Sequence, residues 1–524
     1  MDALPRLRLK QSEGARRRSH PPVVRRHVLR LPVRGQIALV VASGLLFSAA
    51  SPPLDLGPLA LVALVPLLWA WRGASVLRSG LLGLAFGVGF LGALMFGLHY
   101  VGFVAYVALV VVASLYYALI GVLVALFAGR GYSSPWLTGV AWVVVEGLLV
   151  RWPLGGLAAS EAGVTLHDVP PARALASVGG VALVSFVVVV TNGLVMDGAL
   201  ALWRHRRRAA AMAGLGLSVL VLAGAVADLT RFHGTETARI RFALLQGFDH
   251  PNASANRAGT DAYATARHFE LASHLRGRYD LIVFPESALD RDPESAPALR
   301  KRITDLAAKH HAVVLVNART PAPGGGLYNA NLAYGPNGVL QGVYAKQHLV
   351  PFGEYVPWRD ELSFVSELRQ IPYDFVAGEN RQLFRVARRP VATVICYESA
   401  YSGLVRSFVR DGAEAVVVST SDRAYGRSGI ASLHLAQSQM RAAETGRPVL
   451  QASISGISGV IDADGSVHDM SELFENTVTT GAVATVTGET LFVSLGDWML
   501  ILCAIVLLVT AVLAVTMPRT RPVD

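Results

Sequence analysis

Val394-Ile395-Cys396-Tyr397-Glu398-Ser399 is the stretch on which the reading of this chain turns. An apolar, β-branched run from Val391 to Ile395 stops abruptly at a cysteine followed by aromatic and polar residues. That is the pattern of a buried strand that delivers a side chain to the rim of a sheet. A thiol is only a few per cent thiolate at neutral pH, so Cys396 attacks a carbonyl only with a base or a cation beside it. Taken alone, such a cysteine is usually a small buried hydrophobe. Two upstream stretches offer the missing groups. Leu281-Ile282-Val283-Phe284 is another buried-strand run and ends in Pro285-Glu286-Ser287. Gly342-Val343-Tyr344-Ala345 leads into Lys346 and onward through His348, Pro351, Phe352, Gly353 and Glu354.

Around these stretches, residues 230–490 alternate between two patterns. Strands are expected at Phe242 to Leu245, Leu281 to Phe284, Ala312 to Val316, Val391 to Ile395, Ala415 to Ser419 and Val449 to Ala452. Helices are expected at Thr260 to Gly277, Pro297 to His310 and His434 to Gly446. Such alternation over this length argues an α/β layered sandwich. The loop 351–384 is a long insertion beside the candidate residues, and loops of that length in a compact domain are functional or mobile.

The rest of the 524 residues reads differently. With 52% hydrophobic residues and a mean hydropathy of +0.44, the chain is too apolar to be wholly soluble. Apolar segments at 36–51, 56–71, 79–98, 103–129, 135–150, 174–202 and 209–229, with a last one at 491–516, approach or exceed the roughly 20 residues that cross a bilayer. The first is read as an uncleaved anchor, because further spans follow at once. The net charge of +10 is concentrated in the first 34 residues and between apolar segments, which points to a membrane surface and away from nucleic acid. Arg72 and Arg78, Arg130, Arg204 through Arg208, and Arg519 with Arg521 alternate with loops poorer in Lys and Arg. Both termini are therefore placed in the cytoplasm and residues 230–490 on the outer face. Five regions are expected: a basic disordered tail at 1–35, a bundle of about seven helices at 36–229, a catalytic domain at 230–490, a transmembrane helix at 491–516 and a short tail at 517–524. Glu146, inside an apolar segment, is costly unless it is paired, faces a wet cavity or sits at the segment end. The only other cysteine, Cys503, lies in an apolar run and reads as a packing residue. No disulfide framework or cysteine-rich metal site follows, and the histidines show no ligand spacing.

Glu286, Lys346 and Cys396, in that order and each just past a strand, resemble the nitrilase superfamily. The resemblance gives Glu286 the role of general base, Lys346 that of oxyanion stabiliser and Cys396 that of acyl-carrying nucleophile. It narrows further. A nitrilase-like αββα domain between a polytopic helical bundle and one last helix is similar to the apolipoprotein N-acyltransferase family, whose lysine signature is close to Lys346-Gln347-His348-Leu349-Val350-Pro351-Phe352-Gly353-Glu354-Tyr355-Val356-Pro357. Phe284-Pro285-Glu286-Ser287 and Cys396-Tyr397-Glu398 also match. The resemblance implies transfer of a fatty acyl chain from a phospholipid, through a thioester, to the α-amino group of a diacylated lipoprotein in the bacterial inner membrane. It further implies support of the site charges by Glu354 and shaping of the pocket by Tyr397 and Glu398. No cofactor or metal is required, and the protein is expected to act as a monomer.

Two segments depart from the family pattern. Ser421-Asp422-Arg423-Ala424-Tyr425-Gly426 stands where Asn-Asp-x-Trp-Phe-Gly is common, and Ile454-Ser455-Gly456 where Asn-Thr-Gly is usual. The pocket lining has changed while the catalytic set is intact. Two other readings stay open. A membrane-tethered nitrilase-type amidase would use the same three residues with water as acceptor, although one anchor would suffice for tethering. A non-catalytic lipid-binding scaffold would have no need of Cys396, Glu286 and Lys346 together.

Overall fold

The structure, a computed structural model, describes residues 31–247, 257–365, 368, 369, 371 and 373–516. Most of the basic tail expected at 1–35, and the tail at 517–524, lie outside the described residues. The first half of the chain is helical: α1 (Val33–Ala49), α2 (Ala60–Ala63), α3 (Val65–Trp71), α4 (Val76–Leu94), α5 (Phe103–Ala128), α6 (Pro135–Leu149), α7 (Pro170–Trp203) and α8 (Arg207–Leu229). Helices α4, α5, α7 and α8, like the last helix of the chain, are long and apolar enough to cross a membrane. Helices α1 and α6 and the segment 57–71 are shorter. Packing of α1, α4 and α5 depends on small residues, as expected where helices associate without a hydrophobic driving force. A side chain at Gly44 or Gly83 would run into the Phe86 or Tyr117 carbonyl.

The segment 56–71, expected as one span, is broken. Pro66 supplies no N–H, and the helix restarts around it as α3. Asn192 of α7 closes the open backbone: its Oδ1 accepts from Leu64 N (2.8 Å) and its Nδ2 donates to Ala60 O (2.7 Å). Irregular backbone at membrane depth persists only where protein satisfies it. Glu146 is resolved in the same terms. Its Oε1 accepts from the Trp142 indole (2.7 Å) and from Ala162 N (2.8 Å), so the buried carboxylate pins the loop between α6 and α7.

The second half contains two six-stranded sheets. The first is formed by β1 (Thr235–Gly247), β2 (Leu281–Val283), β3 (Val313–Pro321), β4 (Leu327–Tyr334) and β5 (Leu340–Ala345), and the second by β6 (Leu383–Val386), β7 (Arg389–Ile395), β8 (Ala415–Thr420), β9 (Val449–Ser453), β10 (Gly459–Ile461) and β11 (Val467–His468). β12 (Asn476–Thr487) returns to the outer edge of the first sheet beside β1. β1, β2 and β3 are parallel neighbours, as are β7, β8 and β9. Helices α9 (Arg257–Ser273) and α10 (Pro297–His310) cover the first sheet, and α11 (Ser402–Arg410) and α12 (Ile430–Thr445) the second. Alternation along each strand splits the core. Phe242, Leu244, Val283 and Leu315 face Val391, Val417 and Leu450 between the sheets. Ala243, Leu245, Ile282 and Val314 turn outward onto Ile303 and Leu306 of α10. Each such side chain contributes ~1.5–3 kcal/mol when fully buried. The result is the nitrilase-like αββα sandwich.

Helix α12 joins the two halves. All of its residues except Ser432 are buried. Leu435 and Ala442 pack against the second sheet, while Ile430, Leu433, Ala436 and Met440 belong to the core of the membrane helices. At its end, Glu444 Oε1 accepts from Val181 N (2.7 Å), where α7 restarts after Gly179 and Gly180 break it. Gly180 has φ 71°, which favours glycine. The last apolar segment, expected as a single helix, is likewise divided, into α13 (Leu491–Leu495) and α14 (Trp498–Thr516), by Gly496 at φ 70°.

Candidate active site

The three expected residues leave strand ends and meet. Glu286 follows β2 by two residues and precedes Ser287, which takes φ 60°. Lys346 follows β5 directly, and Cys396 follows β7 with φ 54°. Left-handed backbone at non-glycine residues costs of order 1 kcal/mol, and here it occurs at the two strand ends that carry the carboxylate and the thiol. Lys346 is 1% exposed. Its Nζ lies 2.9 Å from Glu354 Oε2 and 3.7 Å from Glu286 Oε1. The Asn329 amide donates to both carboxylates, at 2.7 Å to Glu286 Oε1 and 2.8 Å to Glu354 Oε1. The Cys396 thiol lies beside Glu286 and Thr420, both of which act on it.

These contacts fix the charges. Burial pushes the Cys396 thiol up, and the Glu286 charge pushes it further, against the pull of Lys346. The resting thiol is therefore protonated. Burial also raises Glu286, opposed chiefly by Lys346. Burial pulls Lys346 down, but the carboxylates of Glu354 and Glu286 more than offset it and hold the ammonium well above its usual range. A neutral thiol beside a carboxylate with a cation alongside is an arrangement that can pass the thiol proton to the carboxylate as sulfur attacks.

The supporting residues are placed as follows. Glu354 is the close partner of Lys346 and also accepts from Val350 N (2.8 Å). Glu398 is fully buried, and burial raises its carboxyl to about 7. It accepts from Tyr344 OH (2.9 Å), Gln347 N (2.7 Å), His348 N (3.1 Å) and Ile395 N (2.8 Å), so one carboxylate ties the lysine loop to the cysteine strand. The Tyr397 hydroxyl accepts from Ala158 N (2.7 Å), in the loop between α6 and α7, and Tyr401 donates to Gly155 O (3.1 Å). The residue next to the nucleophile is thus fastened to the helical half. Tyr397→Phe strands the buried Ala158 N–H, and a loss of about 1–3 kcal/mol is expected as a lower thermal unfolding midpoint of the full chain in detergent.

The two departing segments meet beside the site. Asp422 Oδ1 lies 2.7 Å from His434 Nδ1, its Oδ2 accepts from Ser453 Oγ (3.2 Å), and any side chain at Gly456 would strike it. Its charge and that of Glu286 both act on the thiol. Arg423 reaches Asp261 (3.1 Å), which also holds Arg319 (2.6 Å). Asn329 was not anticipated; the alternation Tyr328-Asn329-Ala330-Asn331-Leu332 is the signal that marks it. In the loop 351–384, Phe375 N donates to Glu354 O and Gly378 N to Lys346 O (both 2.8 Å), while Trp358 and Phe364 stand exposed.

Among the described residues, Asp55, His167 and Asp168 bring potential metal-binding atoms together. His167 is already committed, through Nε2 to Asp55 (2.9 Å) and Nδ1 to Gln439 (2.8 Å). Burial lowers it, but the hydrogen bonds to Asp168 and Asp55 outweigh burial and lift it to about 9. A charged imidazolium holds these loops against α12. A cavity of about 450 Å³ lies between the two halves, lined in part by Glu146, Glu161, His348, Tyr401, Glu444 and Leu500; Glu286, Lys346 and Cys396 do not line it.

Comparison with known proteins agrees with this architecture. The apolipoprotein N-acyltransferase N-terminal domain family matches residues 43–194, and the carbon-nitrogen hydrolase family matches residues 253–490. An apolipoprotein N-acyltransferase of Methylococcus capsulatus is 31% identical over 492 residues, covering 89% of this chain and 94% of that protein. One from Geobacter metallireducens is 28% identical, covering 88% and 92%. Among solved structures, a CN-hydrolase superfamily protein from Xanthomonas campestris is 20% identical, covers 50% of this chain and 97% of its own, and has a TM-score of 0.35. With both domains in order and similarity running through nearly the whole length, the chain belongs to the apolipoprotein N-acyltransferase family.

Proposed function

We propose that the enzyme moves a fatty acyl chain from a phospholipid, through a thioester on Cys396, to the α-amino group of the diacylglyceryl-cysteine of lipoproteins. The observation that carries this reading is the meeting of Glu286, Lys346 and Cys396 in one buried site, with Lys346 held between two carboxylates. Glu286 takes the thiol proton as sulfur attacks the ester carbonyl. Lys346 faces the negative charge that grows on the carbonyl oxygen, a contribution of several kcal/mol in a dry site. The ester C–O bond breaks, the lysophospholipid leaves with the proton from Glu286, and the acyl group stays on sulfur. A neutral amine then attacks the thioester, Glu286 accepts the nitrogen's proton, the C–S bond breaks and the thiol is restored. Ping-pong kinetics follow.

The membrane setting has its own logic. Each buried methylene of a lipid chain contributes about 0.8 kcal/mol, so neither donor nor acceptor leaves the bilayer cheaply. The catalytic domain meets α7 at Val181, and the basic turn Arg204-His205-Arg206-Arg207 lies at the other end of that helix. The intervening rise of roughly 34 Å spans one hydrocarbon core. With the arginines cytoplasmic, the catalytic domain sits on the outer face of the bacterial inner membrane. There the exposed Trp358 and Phe364 enter the headgroup layer.

Mass spectrometry of the protein incubated with phospholipid tests the reading. A hydroxylamine-sensitive gain of one acyl chain at Cys396, discharged by a diacylglyceryl-cysteine peptide and not by water, is expected. Discharge by water alone assigns the amidase chemistry instead, and no gain at all removes the thioester.

A further inference from the structure

The hydrogen bonds at the site have a direction, and they lead back to one amide. Ser287 N, which can only donate, gives its proton to Asn317 Oδ1 (2.8 Å). Asn317 Nδ2 must then point the other way, and its two protons go to Asn329 Oδ1 (2.9 Å) and Asn331 Oδ1 (3.0 Å). That turns the two protons of Asn329 Nδ2 onto Glu286 and Glu354. It also turns Asn331 Nδ2 onto Thr393 Oγ1 (2.7 Å), on the strand of the other sheet that ends at Cys396. Asn317, Asn331 and Thr393 are 2% exposed or less, so no solvent competes for these bonds.

We propose that Asn317 is a positioning residue that sets the polarity of the active site: it holds the Asn329 amide with both N–H groups toward the carboxylates and, through Asn331, registers the nucleophile strand against the base strand. The inference rests on the reading of Glu286, Lys346 and Cys396 as the catalytic set. Its physical content is the cost of the opposite arrangement. A flipped Asn329 would present its carbonyl to two carboxylates. Glu286, already raised by burial, would keep a proton at the pH where it must accept one.

The test is the pH dependence of Cys396 acylation by phospholipid vesicles in the full-length protein, followed by intact mass, for wild type, Asn317→Asp, Asn317→Ala and Thr393→Val. Asn317→Asp still accepts from Ser287 but cannot donate to Asn329, and it adds a buried charge. Asn317→Ala removes the holder without charge and serves if the aspartate variant fails to fold. Both are expected to move the ascending limb of the profile to higher pH, by about one unit or more for aspartate, with acylation at pH 7 falling by on the order of 10²-fold. Thr393→Val, which cuts only the second branch, is expected to slow acylation without moving the limb. Unchanged limbs in the Asn317 variants, or an equal shift in Thr393→Val, overturn the inference while leaving the function standing. Failure of wild type to acylate overturns the function itself, and the inference with it.

Discussion

Cys396→Ala is expected to reduce acyl transfer by on the order of 10⁵-fold or more, since removal of a nucleophile from a concerted set costs about as much as removal of the whole set. Stability should hardly change. The side chain is small, the thiol is neutral at rest, and Glu286 keeps its hydrogen bond from Asn329 and its approach to Lys346. The variant should therefore unfold within about 1 kcal/mol of wild type, carry no acyl adduct and still bind lipid. Transfer measured with a fluorescent phospholipid donor and a diacylated peptide separates the cases. Substantial residual transfer by a folded Cys396→Ala protein would place the nucleophile elsewhere.

Lys346→Met is expected to damage both activity and the fold, because it withdraws the one cation that, among the described residues, lies between two buried carboxylates. Glu286 and Glu354 are left with Asn329 and backbone N–H groups as donors. Breaking a buried pair in this way costs about 3–5 kcal/mol, and loss of the charge facing the oxyanion costs about 10²–10³-fold in transfer. The pH dependence has a definite sign. Without Lys346 the Glu286 carboxyl, already raised by burial, rises further above its unfolded value near 4.3. A group raised in this way favours the folded state fully below its unfolded pKa and loses that contribution as pH rises through the folded one. The gap in unfolding temperature between wild type and variant should be smallest near pH 4.5 and widen toward pH 8. A gap that narrows with rising pH would mean that the carboxylates do not depend on the lysine.

The parts of the fold that were legible in the sequence are those whose residues bury on both faces. β2, β3, β7, β8 and β9 are dominated by Val, Ile, Leu and Ala, as parallel central strands must be, and the candidate residues Glu286 and Cys396 past the ends of β2 and β7 came with them. The strands that escaped notice carry other signals. β4 holds Asn329 and Asn331 among apolar residues, and asparagine is depleted in strands. β12 is rich in threonine, contains Gly481 and is half exposed at the sheet edge. The alternation of β4 is the one signal that Asn329 carries, and its value lies in a bond to Glu286, 43 positions away. In the helical half, hydropathy located the segments but not their breaks at Leu64, Gly180 and Gly496. Those depend on partners from other elements: Asn192 at the first and Glu444 near the second.

The antiparallel pairing of β1 with β12 sets Thr235 opposite Thr487, so the strand that enters the catalytic domain and the strand that leaves it run side by side, about 5 Å apart. A unit whose two ends are neighbours sits in a host chain as an insert, without stretching the host or threading it. The catalytic half is in this sense a cassette, and the contacts that its α12 and Tyr397 make with the helical half, rather than its covalent tethers, are what make the two halves one enzyme.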